Sequence, residues 1–384
     1  MSNTTAGANT DANFSPATPT RRRARSHTKQ WLVAMAIGAL ALSPVVVVAD
    51  SSPAFATTAW EQLGLDIDGE ADGDNSGESV SLSRDGTRVA IGAGTNGGSA
   101  GHVRVYQWDG STWNQLGADI DGEAAGDNSG SSVSLSGDGT TVAIGAFLNG
   151  GGGTDAGHVR VYSWNGIAWV KLGDDIDGEA ANDFSGYSVS LSGDGNTVAI
   201  GAPYNGGAGA NAGHVRVYSW DGATWSQVGG LGSGDINGEA AGDESGYSVS
   251  LSGDGNTVAI GAPSNGGAAG HVRVFEWSGT AWVKLGADID GENVAVGGAG
   301  GDRFGWSVSL SSDGTRVAIS AVGYEVSGNG AGRVQTYELQ LGEWMQFGGN
   351  TTVGHATDWV IRCRLVVMAA ELPSVPRKPM LMLV

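Results

Sequence analysis

The chain has 384 residues, 67 of them glycine, a single cysteine and a formal net charge of −20. One cysteine excludes an intramolecular disulfide, and glycines without a three-residue period exclude a collagen-like rod. The body from Thr57 to Asp358 carries 11 basic and 37 acidic residues, so it repels phosphate backbones, whose binding needs Lys and Arg to displace counterions. Nucleic acid is therefore excluded as a partner, and cations or basic partners are favoured.

Residues 1–56 come first. The basic run Arg21, Arg22, Arg23, Arg25 and Lys29 precedes the apolar segment 31–49, and Ala54-Phe55-Ala56 supplies a small-x-small cleavage pattern. Basic flank, apolar core and cleavage site in that order predict a secretory signal. An uncleaved signal anchor is the alternative, because 19 apolar residues approach the length that spans a bilayer. Both readings export the rest of the chain, secreted or at the cell surface, and membrane contact is confined to this segment.

From Thr57 to Asp358 one unit of roughly 56 residues recurs, closed by Trp60, Trp113, Trp169, Trp225, Trp282 and Trp344. In the third unit four segments have strand character: YSVSLS from Tyr187, NTVAIGA from Asn196, GHVRVYSW from Gly213 and ATWSQVG from Ala223. The Asp194-Gly195 and Asp221-Gly222 dipeptides predict hairpin turns, since glycine accepts positive φ without a Cβ clash. Four antiparallel strands per unit at this period predict an all-β propeller with five complete blades and, at residues 57–64, a lone closing strand. Alternating strand direction puts the Asp-Gly turns on one face. The Gly- and Asn-rich loops and the acidic crossovers share the other, where ligands are expected.

The motif GYSVSLSGDGNTVAIGAP, at residues 186–203 and again at 246–263, resembles the FG-GAP repeat of the integrin alpha-chain propeller, and more closely its variant in algal and bacterial surface proteins. Phe304-Gly305 matches the FG element, and Gly201-Ala202-Pro203 and Gly261-Ala262-Pro263 match the GAP element. The resemblance implies a seven-bladed propeller engaged in extracellular adhesion or ligand binding. It does not carry over calcium, because the family's Asp-x-Asp-x-Asp-Gly loop is replaced by a short turn such as Ser192 to Gly195. Kelch repeats are the second match in strand order, and the unit is longer than a WD40 repeat.

The crossovers hold the acidic constellations. Asp119, Asp121, Glu123 and Asp127 in one, and Asp175, Asp177, Glu179 and Asp183 in the next, are the candidate metal ligands. The other copies run from Asp66 to Asp74, Asp235 to Asp243 and Asp288 to Asp302. Carboxylates at alternating positions suit Ca2+, which takes six to eight oxygens. The same carboxylates also suit the capping of backbone amides in a solvated loop. His102, His158, His214 and His271 recur once per blade with Arg333 in the fifth copy, and no second ligand stands near them at zinc-site spacing. A structural role is expected for them, as for Arg104, Arg160, Arg216 and Arg273 two places on, which are expected to pair with neighbouring carboxylates. Phe184, Tyr187, Tyr247 and Trp306 vary from blade to blade, which suits either a ligand surface or blade packing.

No unusual residue in one unit marks an active site, so no catalytic residue is assigned. The tail 359–384 breaks the pattern. Loss of one C from a plausible coding sequence for Asp-Ser-Gly-Tyr-Ser-Val-Ser-Leu-Ser-Gly-Asp-Gly yields the observed run from Asp358 to Met368, so the tail reads as a frameshifted blade whose absence leaves the ring open. The expectation is an exported, non-catalytic FG-GAP-like module that binds an extracellular protein or glycan, with calcium as the candidate ion. A structural surface or matrix protein without a ligand is the alternative, and an enzyme on the scaffold would need an acid or nucleophile that breaks the symmetry.

Overall fold

The computed structural model describes residues 62–230, 234–292, 301–323 and 332–352, together with the strands Cys363–Val366 and Met380–Leu383. The expected leader, residues 57–61 of the expected closing strand and most of the tail lie outside the described residues. Among the described residues, no helix is long and apolar enough to cross a membrane.

Five antiparallel sheets follow one another in chain order, one per repeat. In the third, Ser188–Leu191 pairs with Thr197–Ala202, which pairs with His214–Trp220, which pairs with Trp225–Gln227. These are the four expected strands. A fifth piece, Ile236–Asn237, returns to the same central strand, with His214 opposite Asn237 and Val215 opposite Ile236. The outer strand is thus broken in two, and part of each acidic crossover is ladder rather than loop. A single isoleucine between acidic residues gives too short a pattern to mark a strand, yet Ile120, Ile176, Ile236 and Ile289 are all buried.

The first strands of successive blades lie side by side, as propeller blades require. Serine hydroxyls join them: Ser134 Oγ accepts the Leu191 amide at 2.9 Å, and Ser132 Oγ donates to Gly186 O at 2.7 Å. Inner strands too close for large side chains are therefore linked by small polar ones. Gly201 shows how tight the approach is, because a Cβ there would stand 2.0 Å from Gly246 O of the next blade. The fifth copy has Ser320 at this place.

No blade owns its core. One cluster takes Ala143, Val159, Val161 and Ile176 from the second blade and Leu191, Val198, Ile200 and Tyr218 from the third, and the same division holds between other neighbours. Each buried Val, Leu or Ile contributes about 1.5–3 kcal/mol, and that burial exists only when two blades face each other. The closing tryptophans lock the same interface, Trp169 Nε1 donating to Leu116 O at 2.8 Å and Trp225 Nε1 to Leu172 O at 2.9 Å. Trp113 Nε1 donates to Leu63 O at 2.9 Å, so Leu63 stands where the outer edge of a blade ahead of the first would stand. At the other end, Cys363–Val366 pairs with Met380–Leu383 and lies beside the first two strands of the fifth blade.

Candidate functional site

The loop after each second strand meets the crossover that enters its blade. Asn149 Nδ2 donates to Asp127 Oδ2 at 3.0 Å, and Asn205 Nδ2 to Asp183 Oδ2 at 2.9 Å. The same carboxylate oxygens accept the Ala124 and Ala180 amides at 3.0 Å. Asp127 and Asp183, both buried, therefore cap backbone and hold two loops together.

The remaining acidic residues of a crossover diverge. Asp119 and Asp175 turn back towards the blade just completed, where Asp119 Oδ1 accepts from Gln115 Nε2 at 2.6 Å and Asp175 Oδ1 from Lys171 Nζ at 2.7 Å. Asp121 and Asp177 have exposed side chains and use their carbonyls, which accept from Arg160 and Arg216 Nη2 at 2.7 Å. Glu123 and Glu179 reach forward to the next blade, 3.6 Å from Arg160 and Arg216 Nη1. The arginines thus pair as expected. The four acids of each of these two crossovers are thus engaged by different partners.

Acidic residues from successive crossovers converge instead. Glu70, His102 and Asp119 bring one potential ligand atom each within 4.8 Å of one another, and so do Glu123, His158 and Asp175. Glu179, His214 and Asp235, and Glu239, His271 and Asp288, repeat the arrangement. This corrects the expectation that the histidines lack second ligands. Glu70 and His102 are 32 residues apart and His102 and Asp119 are 17 apart, so only the ladder brings them together. The available signal was the histidine opening each third strand, which stands opposite Asp121 in the first blade. Burial holds the imidazoles of His158 and His271 below their usual pKa, and pushes His214 down to about 4, so all three are neutral at pH 7.

Nearer the axis on the same face, the blades stop being equivalent. Tyr187 and Tyr247 stand just before the first strands of blades three and four and Trp306 near the start of that of blade five, with ring centroids 4.9 Å apart for the tyrosines and 4.6 Å for Tyr247 and Trp306. Phe147 continues the row 5.5 Å from Tyr187, and Phe184 links it to Tyr204 at 5.0 Å. The corresponding residues of blades one and two are Glu78 and Ser131. Arg303 lies over Trp306 at 5.7 Å, and burial raises the Tyr247 phenol well above its usual pKa, with Tyr187 adding to the shift. These rings are half-buried, stacked edge to face or tilted, and form an arc from blade two to blade five. Beside Tyr204, a depression of about 520 Å³ opens between the Glu179–Asp183 crossover and the Asn205–Asn211 loop.

Residues 176–218, less than one full repeat, match the family model of the FG-GAP repeat. No curated protein matches the chain in sequence. Among solved structures, TolB from Acinetobacter baumannii is similar at 14% identity, over 72% of this chain and 54% of that one, with a TM-score of 0.42. This chain therefore spans about half the length of that protein. The putative TolB from Agrobacterium tumefaciens is similar at 15% identity over 73% and 82%, with a TM-score of 0.41. The Dos1 propeller is similar at 17% identity over 74% and 63%, with a TM-score of 0.42.

Proposed function

We propose that this chain, an FG-GAP-like β-propeller repeat protein, is a non-catalytic binding module of the cell surface or extracellular space that engages a protein or glycan ligand through the aromatic arc. The observation that carries the reading is the departure from blade symmetry at Tyr187, Tyr247 and Trp306. Scaffold residues recur in every blade, whereas these rings replace Glu78 and Ser131 on one side of the ring only. Flat aromatic faces stack on sugar rings and on apolar or cationic side chains, and rigid rings lose little entropy on binding. The acidic body around the arc favours a neutral or basic partner. The order of charges and apolar residues before Ala56 supports export.

The test is binding of the secreted body to glycan and peptide arrays, followed by titration of the strongest ligand against Trp306→Ala and Tyr247→Ala. Loss of about tenfold or more in affinity is expected from either variant, which corresponds to about 1.4 kcal/mol. An unchanged affinity in both variants would remove the arc as the binding surface.

A further inference from the structure

We infer that the four Glu–His–Asp clusters are binding sites for a divalent transition-metal ion of the zinc class, one per blade in blades one to four, and that Arg333 replaces the ion in blade five. This assignment is independent of the aromatic arc.

The fifth copy supplies the comparison. Its third strand opens with Arg333 where the others open with histidine. Arg333 is fully buried, and its guanidinium meets Glu292 Oε2 and Asp302 Oδ2, each at 3.0 Å. Glu292 holds the position of Glu70, Glu123, Glu179 and Glu239 in the repeat. Two further positions change with it. Arg333 stands opposite Thr352 as His102 stands opposite Asp121, so Asn350 takes the place of Asp119, and Gln335 takes that of Arg104. In blades one and three, three carboxylates, counting the buried capping aspartate, face one guanidinium, whereas in blades two and four Lys171 and Lys284 also pair with Asp175 and Asp288. In blade five there are two carboxylates and one guanidinium. The histidine copies of blades one and three therefore each carry one more uncompensated negative charge than the arginine copy, in a partly buried place where that charge is costly, and in blades two and four an exposed lysine offsets it from outside the cluster.

The imidazoles show the same deficit. His214 Nδ1 faces Glu179 at 3.8 Å and His271 Nδ1 faces Glu239 at 3.9 Å, both beyond hydrogen-bond length. Nε2 of each is buried and has no partner. If Nε2 carries the proton, the Nδ1 lone pair looks straight at a carboxylate. If Nδ1 carries it, the proton is too far to be shared and the Nε2 lone pair is buried alone. A cation between Nδ1 and the two carboxylates satisfies the Nδ1 lone pair and the facing carboxylate together, with neutral imidazole and carboxylate as ordinary zinc ligands. Two ligands of one tetrahedral zinc ion stand ~3.4 Å apart for bonds of about 2.1 Å. The glutamates are exposed enough to swing inward by the difference.

The experiment is calorimetric titration of the chelator-stripped full chain with zinc sulfate alone, read as equivalents bound. Four saturable equivalents are expected. His214→Arg, copying blade five so that the fold keeps its cation, should bind three. The triple change Arg333→His, Gln335→Arg and Asn350→Asp should bind five. Absence of saturable uptake, or four equivalents still bound by His214→Arg, would overturn the assignment, the latter by showing that other surface carboxylates take up the ion.

Discussion

Arg84 Nη2 donates to Ser312 Oγ at 3.0 Å although 228 residues separate them, and so joins the first blade to the fifth. The two residues close a relay of main-chain bonds at the Asp-Gly turns. The Arg84 amide donates to Gly137 O, Gly137 to Gly193 O, Gly193 to Gly253 O and Gly253 to Ser312 O, each at 2.8 Å. The inner three members are glycines and the outer two carry side chains, and the Arg84 guanidinium lies over Gly193 and Gly253 to reach Ser312.

Removing that contact tests its value. Arg84→Ala and Ser312→Ala should each cost about 1 kcal/mol, since the bond is exposed. The double variant should cost no more than either single one if the pair acts as a unit. Urea unfolding of the three variants measures this.

Gly201→Ala should be among the most damaging substitutions, because the added methyl would meet the Gly246 carbonyl at 2.0 Å and force blades three and four apart. A loss of about 3 kcal/mol is expected. Ser320→Ala, at the equivalent place in blade five, should cost far less, and comparing the two urea midpoints checks the contrast.

The Asp-Gly turns predict the response to acid. The Asp85 carboxyl is held below its usual pKa by the Ser83 hydroxyl and the Thr87 amide. Burial opposes the shift at Asp138, Asp194, Asp254 and Asp313, but hydrogen bonds from the neighbouring Ser hydroxyl and backbone amide outweigh it. A depressed folded pKa means that stabilisation is complete above the unfolded value of about 4 and is lost as pH falls through the folded value. Unfolding midpoints should therefore be insensitive to these turns from pH 7 to 5 and drop below pH 4. Asp194→Asn should shallow that drop, as a midpoint series across pH will show.

Replacing residues 359–384 with a complete repeat copied from residues 185–228 should raise the melting temperature and reduce self-association, because the fifth blade would gain a full neighbour in place of two short strands. Thermal scans and light scattering at several protein concentrations read both effects. A repaired chain no more stable and equally prone to associate would count against the frameshift reading.

The strands were legible because period-two patterns and Asp-Gly dipeptides act within a few residues. Thr197–Ala202 and His214–Trp220 fall where those patterns place them. Ile236–Asn237 was not, since two residues carry no period. The Glu–His–Asp clusters were hidden for a different reason: their members come from two crossovers and a strand, and only the pairing of His102 with Asp121 brings the surrounding carboxylates within reach. The aromatic positions were visible as variation, but their contact along Tyr187, Tyr247 and Trp306 depends on inner strands standing side by side.

Because Val161 and Ile176 of one repeat are covered by Leu191 and Ile200 of the next, a repeat excised on its own would expose half of each of two oily seams. Thermal or chemical denaturation should consequently spread from seam to seam as one cooperative event, and a cut in any single blade should weaken both of its neighbours.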